Sequence, residues 1–266
     1  MAQKKSGPLD QNVVLTNINS MNTHITLDDI AQYYKIEEDF DLVFMKYNFI
    51  VAHEYFVGDT FLELGCATGE STLSLLKFAS TIDVVEGSKI NIDVTKKKLD
   101  LLPKHNTIVN FYKNFWEEFD YKDDYYTDIL LFCGLEHLDN PGLVLKRLYG
   151  ALKPGGRLHI VVPNAHSLHR KIGVSMGLLK EIHELNERDK MMGHKQVFDI
   201  STLIEIVRSN KFNVLDWRGV MLKVLSNIQM QKLYRDNPSL IQAFFEVGRD
   251  IPDKCAELYL CAERQL

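Results

Sequence analysis

Cysteine is scarce in this sequence and is nowhere arranged for chemistry. Cys66, Cys133, Cys255 and Cys261 fall in apolar contexts with no C-x-x-C pair among them. That excludes the usual zinc-ligand spacings and a disulfide framework, and it fits reduced, buried thiols. Long apolar runs are missing too. Nothing approaches the roughly 20 residues that a membrane helix needs, and the N-terminus, MAQKKSGPLDQN, has no apolar signal-peptide core. The expectation is a soluble, cytoplasmic protein with no membrane partner. Positive charge is also in short supply. Lysine and arginine number 31 against 36 acids, a net charge of −5, whereas a nucleic-acid binder normally shows a basic stripe. The densest basic cluster, Lys96-Lys97-Lys98, reads as a solvated helix face. There is no internal repeat and no low-complexity segment. What is there, 266 residues with 45% hydrophobic and 25% charged content, suits one large α/β domain with appendages.

The order of elements says which kind of α/β domain. Residues 1–25 are polar and expected to be flexible. ITLDDIAQYYKI, with Thr26 as a cap, and the segment from Glu38 to Phe56 read as N-terminal helices, so that 26–57 forms a helical cover. From residue 58 the periodicity changes. TFLEL, TIDVVEG, NTIVNFY, TDILLFCG and GRLHIVVPN read as strands, separated by helical patterns such as ESTLSLLKFA and PGLVLKRLYGAL. Two more strands, FNVLDWRGV and AELYLCAER, complete seven. Alternation of this kind predicts a doubly wound, Rossmann-like parallel sheet within one domain, 58–266. Helical insertions at 164–198 and 226–254 follow the fifth and sixth strands, where they reach the strand ends at which open α/β sheets bind ligands.

The turn in FLELGCATGEST, between the first strand and its helix, is shaped for a small molecule. A dinucleotide fingerprint, G-x-G-x-x-G, would need glycines where Ala67 and Glu70 stand after Gly65. Glu70 would place a carboxylate in the helix turn that should attract a pyrophosphate. A ligand without phosphates, carrying a sulfonium cation, suits the turn better than NAD. Glu86 lies 21 residues after Gly65, where an acid accepts hydrogen bonds from ribose hydroxyls in either cofactor.

LELGCATGEST, VVEGS, DILLFCGLEHLDNP and LKPGGRLHIVVPN, in that order over residues 60–163, resemble the class I S-adenosylmethionine-dependent methyltransferases. The similarity is greatest to the small-molecule branch that includes ubiquinone-type O-methyltransferases. PNAHSLHRKIGVSMGLL…GHKQVFD is similar to glycan and natural-product pathway methyltransferases. The resemblance implies S-adenosyl-L-methionine as cofactor, S-adenosyl-L-homocysteine as product, and a set of site residues. Glu63 and Gly65 would lie under the methionine moiety, with Ala67, Thr68 and Gly69 lining the turn. Glu86 would hold the ribose, with Gly87 and Ser88 passing the adenine. Asn114, Phe115 and Trp116 would form the adenine edge, and Cys133 would sit beneath the reactive end. Tyr33 and Tyr34 would close over the cofactor.

Methyl transfer to a hydroxyl also benefits from a base near neutrality, for which histidine is the natural choice. His194 and His137 rank level as catalytic candidates, followed by His169. Glu136, His166 and Arg170 are the substrate-binding candidates. The His, Lys and Arg density of 164–198, including Lys171, Arg188 and Lys195, points to a polar or anionic small-molecule substrate such as a sugar, nucleotide-sugar or phosphorylated metabolite. Ubiquinone-type relatives can carry E-x-x-E-H after the fourth strand. Here Cys133 takes the first acidic position, and the expectation is no metal. Residues 226–254 either shelter the pocket or form a homodimer surface. A non-catalytic S-adenosylmethionine-binding module is the competing class. A nucleic-acid methyltransferase is disfavoured, because the place of a [DNS]-P-P-[YF] motif reads CGLEHL.

Overall fold

A computed structural model describes residues 26–33 and 39–265. Short helices α1 (Leu27–Tyr33) and α2 (Asp41–Ala52) precede the sheet. Thr26 opens α1: its hydroxyl accepts from the Asp29 N–H at 3.2 Å, while its own N–H donates to the Asp29 carboxylate at 2.9 Å. The strands are β1 (Thr60–Leu64), β2 (Thr81–Glu86), β3 (Ile108–Lys113), β4 (Tyr126–Phe132), β5 (Leu152–Pro163), β6 (Asn213–Val220) and β7 (Glu257–Glu263). Helices α3 (Glu70–Leu75), α4 (Lys89–Asp100) and α5 (Pro141–Ala151) connect the first five. Four residues of β1 and five of β2 are buried in an unbroken run, as a sheet covered on both faces requires. Proline at the start of α5 and the Asn140 side chain, which accepts from the Leu143 N–H, set where that helix begins.

The sheet order is β3-β2-β1-β4-β5-β7-β6. The expected parallel arrangement holds for the pairs among β1 to β5, but β7 lies between β5 and β6 and runs antiparallel to both. The reason is where the chain re-enters. Val220, the last residue of β6, pairs with Glu257, the first of β7, so residues 221–256 return to the end of the sheet they left. A parallel strand would need a crossover to the opposite end. The intervening residues form α9 (Asn227–Asp236) and α10 (Pro238–Gly248). Between β5 and β6 lie α6 (Leu168–Ser175), α7 (Glu187–Met191) and α8 (Ile200–Ser209).

One buried set fixes the N-terminal segment to the sheet. The Asp128 carboxylate on β4 accepts from the N–H groups of Val57 and Gly58 and meets His159 Nε2 at 3.0 Å. His159 Nδ1 in turn lies 2.9 Å from the Tyr259 hydroxyl. Phe40, just before α2, and Phe44 within it share a buried cluster with Val161, Val220 and Tyr259.

Candidate active site

Three backbone turns meet where the C-terminal ends of β1, β2 and β4 come together. In the first, Gly65, Ala67 and Gly69 all have positive φ, of 82°, 44° and 92°. Only glycine adopts such angles without strain, so Gly65 and Gly69 take the sharpest parts of the turn. Gly69 also has no room for a side chain: a Cβ there would stand 2.7 Å from Thr95 Cγ2 on α4. Gly69 itself does not line the cavity, whereas Glu63, Gly65, Ala67, Thr68 and Ser71 do. Its role is the close approach of α3 to α4.

The second turn is held by Glu86. Its carboxylate accepts from the N–H of Ser88 at 2.8 Å and of Ala67 at 3.3 Å, tying the end of β2 to the glycine turn of β1. Burial raises its pKa while these N–H bonds oppose the rise. Ser88 caps α4 and also donates to Asp28 Oδ1 at 2.7 Å, so α1 lies directly over this corner. Leu27, Ile30 and Ala31 of α1 line the cavity with Gly87 and Ser88. Tyr34 and the side chain of Tyr33 lie outside the described residues. Asn114, Phe115 and Trp116 line the same wall, Phe115 remaining 55% exposed. Trp116 does more than form a wall. Its Nε1 donates to the Val85 carbonyl at 3.1 Å, and its ring fills the space that side chains at Gly65 and Gly134 would occupy.

Glu63 is 2% exposed, and its nearest hydrogen-bond donor is the Thr72 hydroxyl at 2.5 Å. Burial pushes its pKa up to about 8. A carboxyl held neutral by burial, at the end of a strand beside a cavity, is prepared for a cationic group.

The third turn carries the reactive groups. After β4, Cys133 adopts φ 49° and a 3₁₀ turn spans Leu135–His137. Glu136 is fully buried, neither carboxylate oxygen has a hydrogen-bond partner, and burial raises it to about 7. The insertion delivers His194 to the same place. Lys195 N–H donates to the Glu136 carbonyl at 2.8 Å, and the rings of His137 and His194 stand edge to face at 4.7 Å. One ligand atom each from Glu136, His137 and His194 lie within 4.8 Å of one another. No metal was expected, because Cys133 removes half of the acidic pattern. The fold, however, adds His194 from 57 positions away in the chain. The trio sets one carboxylate and two imidazoles together on the cavity wall.

The histidines are less suited to proton transfer than their residue type suggests. Burial lowers His137 to about 4, with His194 adding to the effect, and lowers His169 to about 2, with Lys223 adding. Both line the cavity as neutral rings and weak bases. Glu136, assigned from the sequence to substrate binding, is the member of the trio held near neutrality.

Of the basic residues expected to meet an anionic substrate, Arg170, Arg188 and Lys195 have partners within the protein. Arg170 is 3% exposed; its Nε donates to the Ile182 carbonyl at 2.8 Å, Nη1 to Asp189 at 2.9 Å, and Nη2 to the Glu184 carbonyl. Its guanidinium staples the insertion together. Arg188 is paired with Asp39 and Asp41, and Lys195 with Asp139. His166 does not line the cavity; its ring packs edge to face against His183.

The cavity measures 1230 Å³, and part of its wall comes from residues that pattern reading passed over. Asp41, Phe44 and Asn48 come from α2, Lys223 and Asn227 from the segment after β6, and Glu257 from the start of β7. The one visible signal was Glu257, an acid followed by five buried residues of its strand. Residues 225–229 lie on the wall, so of the two uses open to the second insertion its beginning shelters the pocket. No helix among the described residues is long and apolar enough to cross a membrane.

A family described as a methyltransferase domain matches residues 37–216, and the chain belongs to it. Demethylmenaquinone methyltransferase from Lactobacillus johnsonii is 30% identical over 110 residues, 39% of this chain and 43% of that protein. The chain thus spans less than half the length of this curated relative. An S-adenosylmethionine-dependent methyltransferase from Mesorhizobium loti superposes with a TM-score of 0.58 at 13% identity, over 81% of this chain and 95% of that one. Phosphoethanolamine N-methyltransferase 2 from Haemonchus contortus, solved with S-adenosyl-L-methionine, gives 0.58 at 12% identity, over 82% and 52%. The fold is that of class I S-adenosylmethionine-dependent methyltransferases, and S-adenosylmethionine is the cofactor of this class.

Proposed function

We propose that this protein moves the methyl group of S-adenosylmethionine to an oxygen or nitrogen atom of a polar small molecule. The observation that supports this most is Glu136: a fully buried carboxyl with two unpartnered oxygens, held near pH 7, at the end of the cavity opposite α1. Glu63 takes the cofactor's ammonium, Glu86 its ribose, and the wall from Gly87 to Trp116 its adenine. The sulfonium then faces the Cys133–His137 turn. Methyl transfer is an in-line displacement, so most of the rate comes from holding nucleophile, methyl and sulfur in line. Glu136 accepts the proton that the nucleophile gives up, beside the rings of His137 and His194.

Calorimetry with S-adenosylhomocysteine and with NAD tests the cofactor half. Micromolar binding of the first alone is expected, weakened about a hundredfold by Glu86→Ala as two hydrogen bonds to a charged group are lost. NAD binding, or an indifferent variant, contradicts the assignment. The non-catalytic alternative predicts the same binding but no transfer of labelled methyl to any small molecule.

The same titration reports on Glu63. With a pKa of about 8 it is mostly protonated at pH 7 in the free protein, and the ligand's ammonium favours its ionised form. Binding at pH 7 is therefore expected to release about one proton, and affinity to rise with pH up to about 8. Titration in buffers of different ionisation enthalpy measures the release. If Glu63→Gln released as much, the proton would have another source.

A further inference from the structure

Charge does not balance in the half of the cavity away from α1. Four carboxyls gather there: Asp41, Glu136 and Glu257 on the wall, and Asp39 beside Asp41. Arg188 and Lys223 face them, while on the same wall Arg170 pairs with Asp189 and Lys190 with Glu187. Arg188 is held by Asp39 and Asp41 at 3.1 and 2.8 Å. Lys223 donates to Asn227 Oδ1 and stands over the Phe44 ring at 6.0 Å, within electrostatic reach of Asp41 and Glu257. His137 and His169 are neutral at pH 7. Among the described residues lining this lobe, acids outnumber cations.

Hydrogen bonding gives the same answer independently. Five buried side-chain atoms on residues lining this lobe have no hydrogen-bond partner among the described residues: Glu136 Oε1, Glu136 Oε2, Asn48 Oδ1, His169 Nδ1 and His194 Nδ1. The three oxygens accept when Glu136 is ionised, on residues 0% and 1% exposed. Asn48 is oriented by its own amide, which donates to Glu257 Oε2 at 2.7 Å. The other Glu257 oxygen has the Cys133 thiol at 3.6 Å, a weak donor. Burial pushes that thiol up, with Glu257 and Glu136 adding to the effect. Buried acceptors left without donors are costly, and a ligand that supplies donors and positive charge relieves both deficits at once.

We infer that this lobe receives an amine of the substrate as its ammonium ion, held by Glu257, Asn48 Oδ1 and Glu136, an inference that rests on the methyl-transfer reading of the cavity. An ammonium carries three donors and no acceptor. An alcohol brings one donor and no charge, and a carboxylate or phosphate meets like charge. The expectation from the basic density of residues 164–198 was a polar or anionic substrate; this inference favours a polar one that carries an amine.

Three matched probes decide it: 2-phenylethylamine, 2-phenylethanol and phenylacetate, titrated at pH 7.5 into the full chain with and without S-adenosylhomocysteine. The amine is expected to bind at least about tenfold more tightly than the other two, and Glu257→Gln to erase that preference. Binding of the amine no tighter than the alcohol, including no binding of any probe, overturns the inference. So does a preference that survives in a folded Glu257→Gln protein. The comparison among probes on the unaltered protein stands even if the variant fails to fold. Failure of S-adenosylhomocysteine to bind would instead overturn the methyl-transfer reading, and the two failures are read from separate titrations.

Discussion

Arg170→Met is expected to lower the stability of the protein by about 3–5 kcal/mol, the cost of removing one partner from a buried ion pair. The guanidinium holds three groups of the same insertion, and its departure leaves Asp189 ionised with reduced compensation. Asp189 is kept at about 2 by His194 and Arg170, against the opposing effect of its burial. The loss should appear as a lower urea midpoint with little change in slope. Had Arg170 faced an anionic substrate, the same change would have left stability almost untouched and altered affinity alone. The double variant Arg170→Met, Asp189→Leu should recover a large part of the loss, since two apolar side chains no longer leave a charge stranded. Absence of any recovery would mean that the two carbonyl contacts, rather than the charge pair, carry the effect.

Glu136→Gln is expected to reduce the rate of methyl transfer by about 10²- to 10⁴-fold, the usual worth of a positioned proton acceptor. The substitution keeps the shape of the side chain and its buried place, so S-adenosylhomocysteine affinity should change little. The pH profile separates loss of a base from loss of packing. Glu136 must be ionised to take a proton, and its pKa is raised to about 7. Transfer should therefore fall as pH drops through about 7 in the unaltered protein, and that limb should vanish in the variant. His137→Ala and His169→Ala should leave the limb in place, because both rings titrate well below it. A profile that instead followed His137 would return the role of base to histidine.

Much of the cofactor half was legible in the chain because it is local. Phe61 to Thr72 holds a strand, a turn and a helix start in one run, and backbone requirements such as φ 82° at Gly65 leave direct marks on residue choice. Glu86 was readable by its spacing, since one βα unit places it beside the turn. The acceptor half was not readable in this way. Asn48 comes before the whole sheet, and Lys223 and Glu257 from the two ends of the insertion between β6 and β7. His194 meets Glu136 only because residues 164–198 fold back over the end of β4. Arg170 misled for the complementary reason: a cation in a sequence does not show whether its partner is a substrate or a carbonyl twelve residues on.

The direction of β7 belongs with these. Alternating strand and helix patterns determined the class of fold and the place of the glycine turn, because periodicity and turn chemistry act over a few residues. That β7 enters antiparallel, and so brings Glu257 to the cavity, was decided by where residues 221–256 deliver the chain. Local sequence sets the elements and the cofactor turn. The pairing of distant charges, and with it the pKa of Glu136 and the acceptor-rich lobe around Asn48, arises only when packing excludes water from groups the chain keeps far apart.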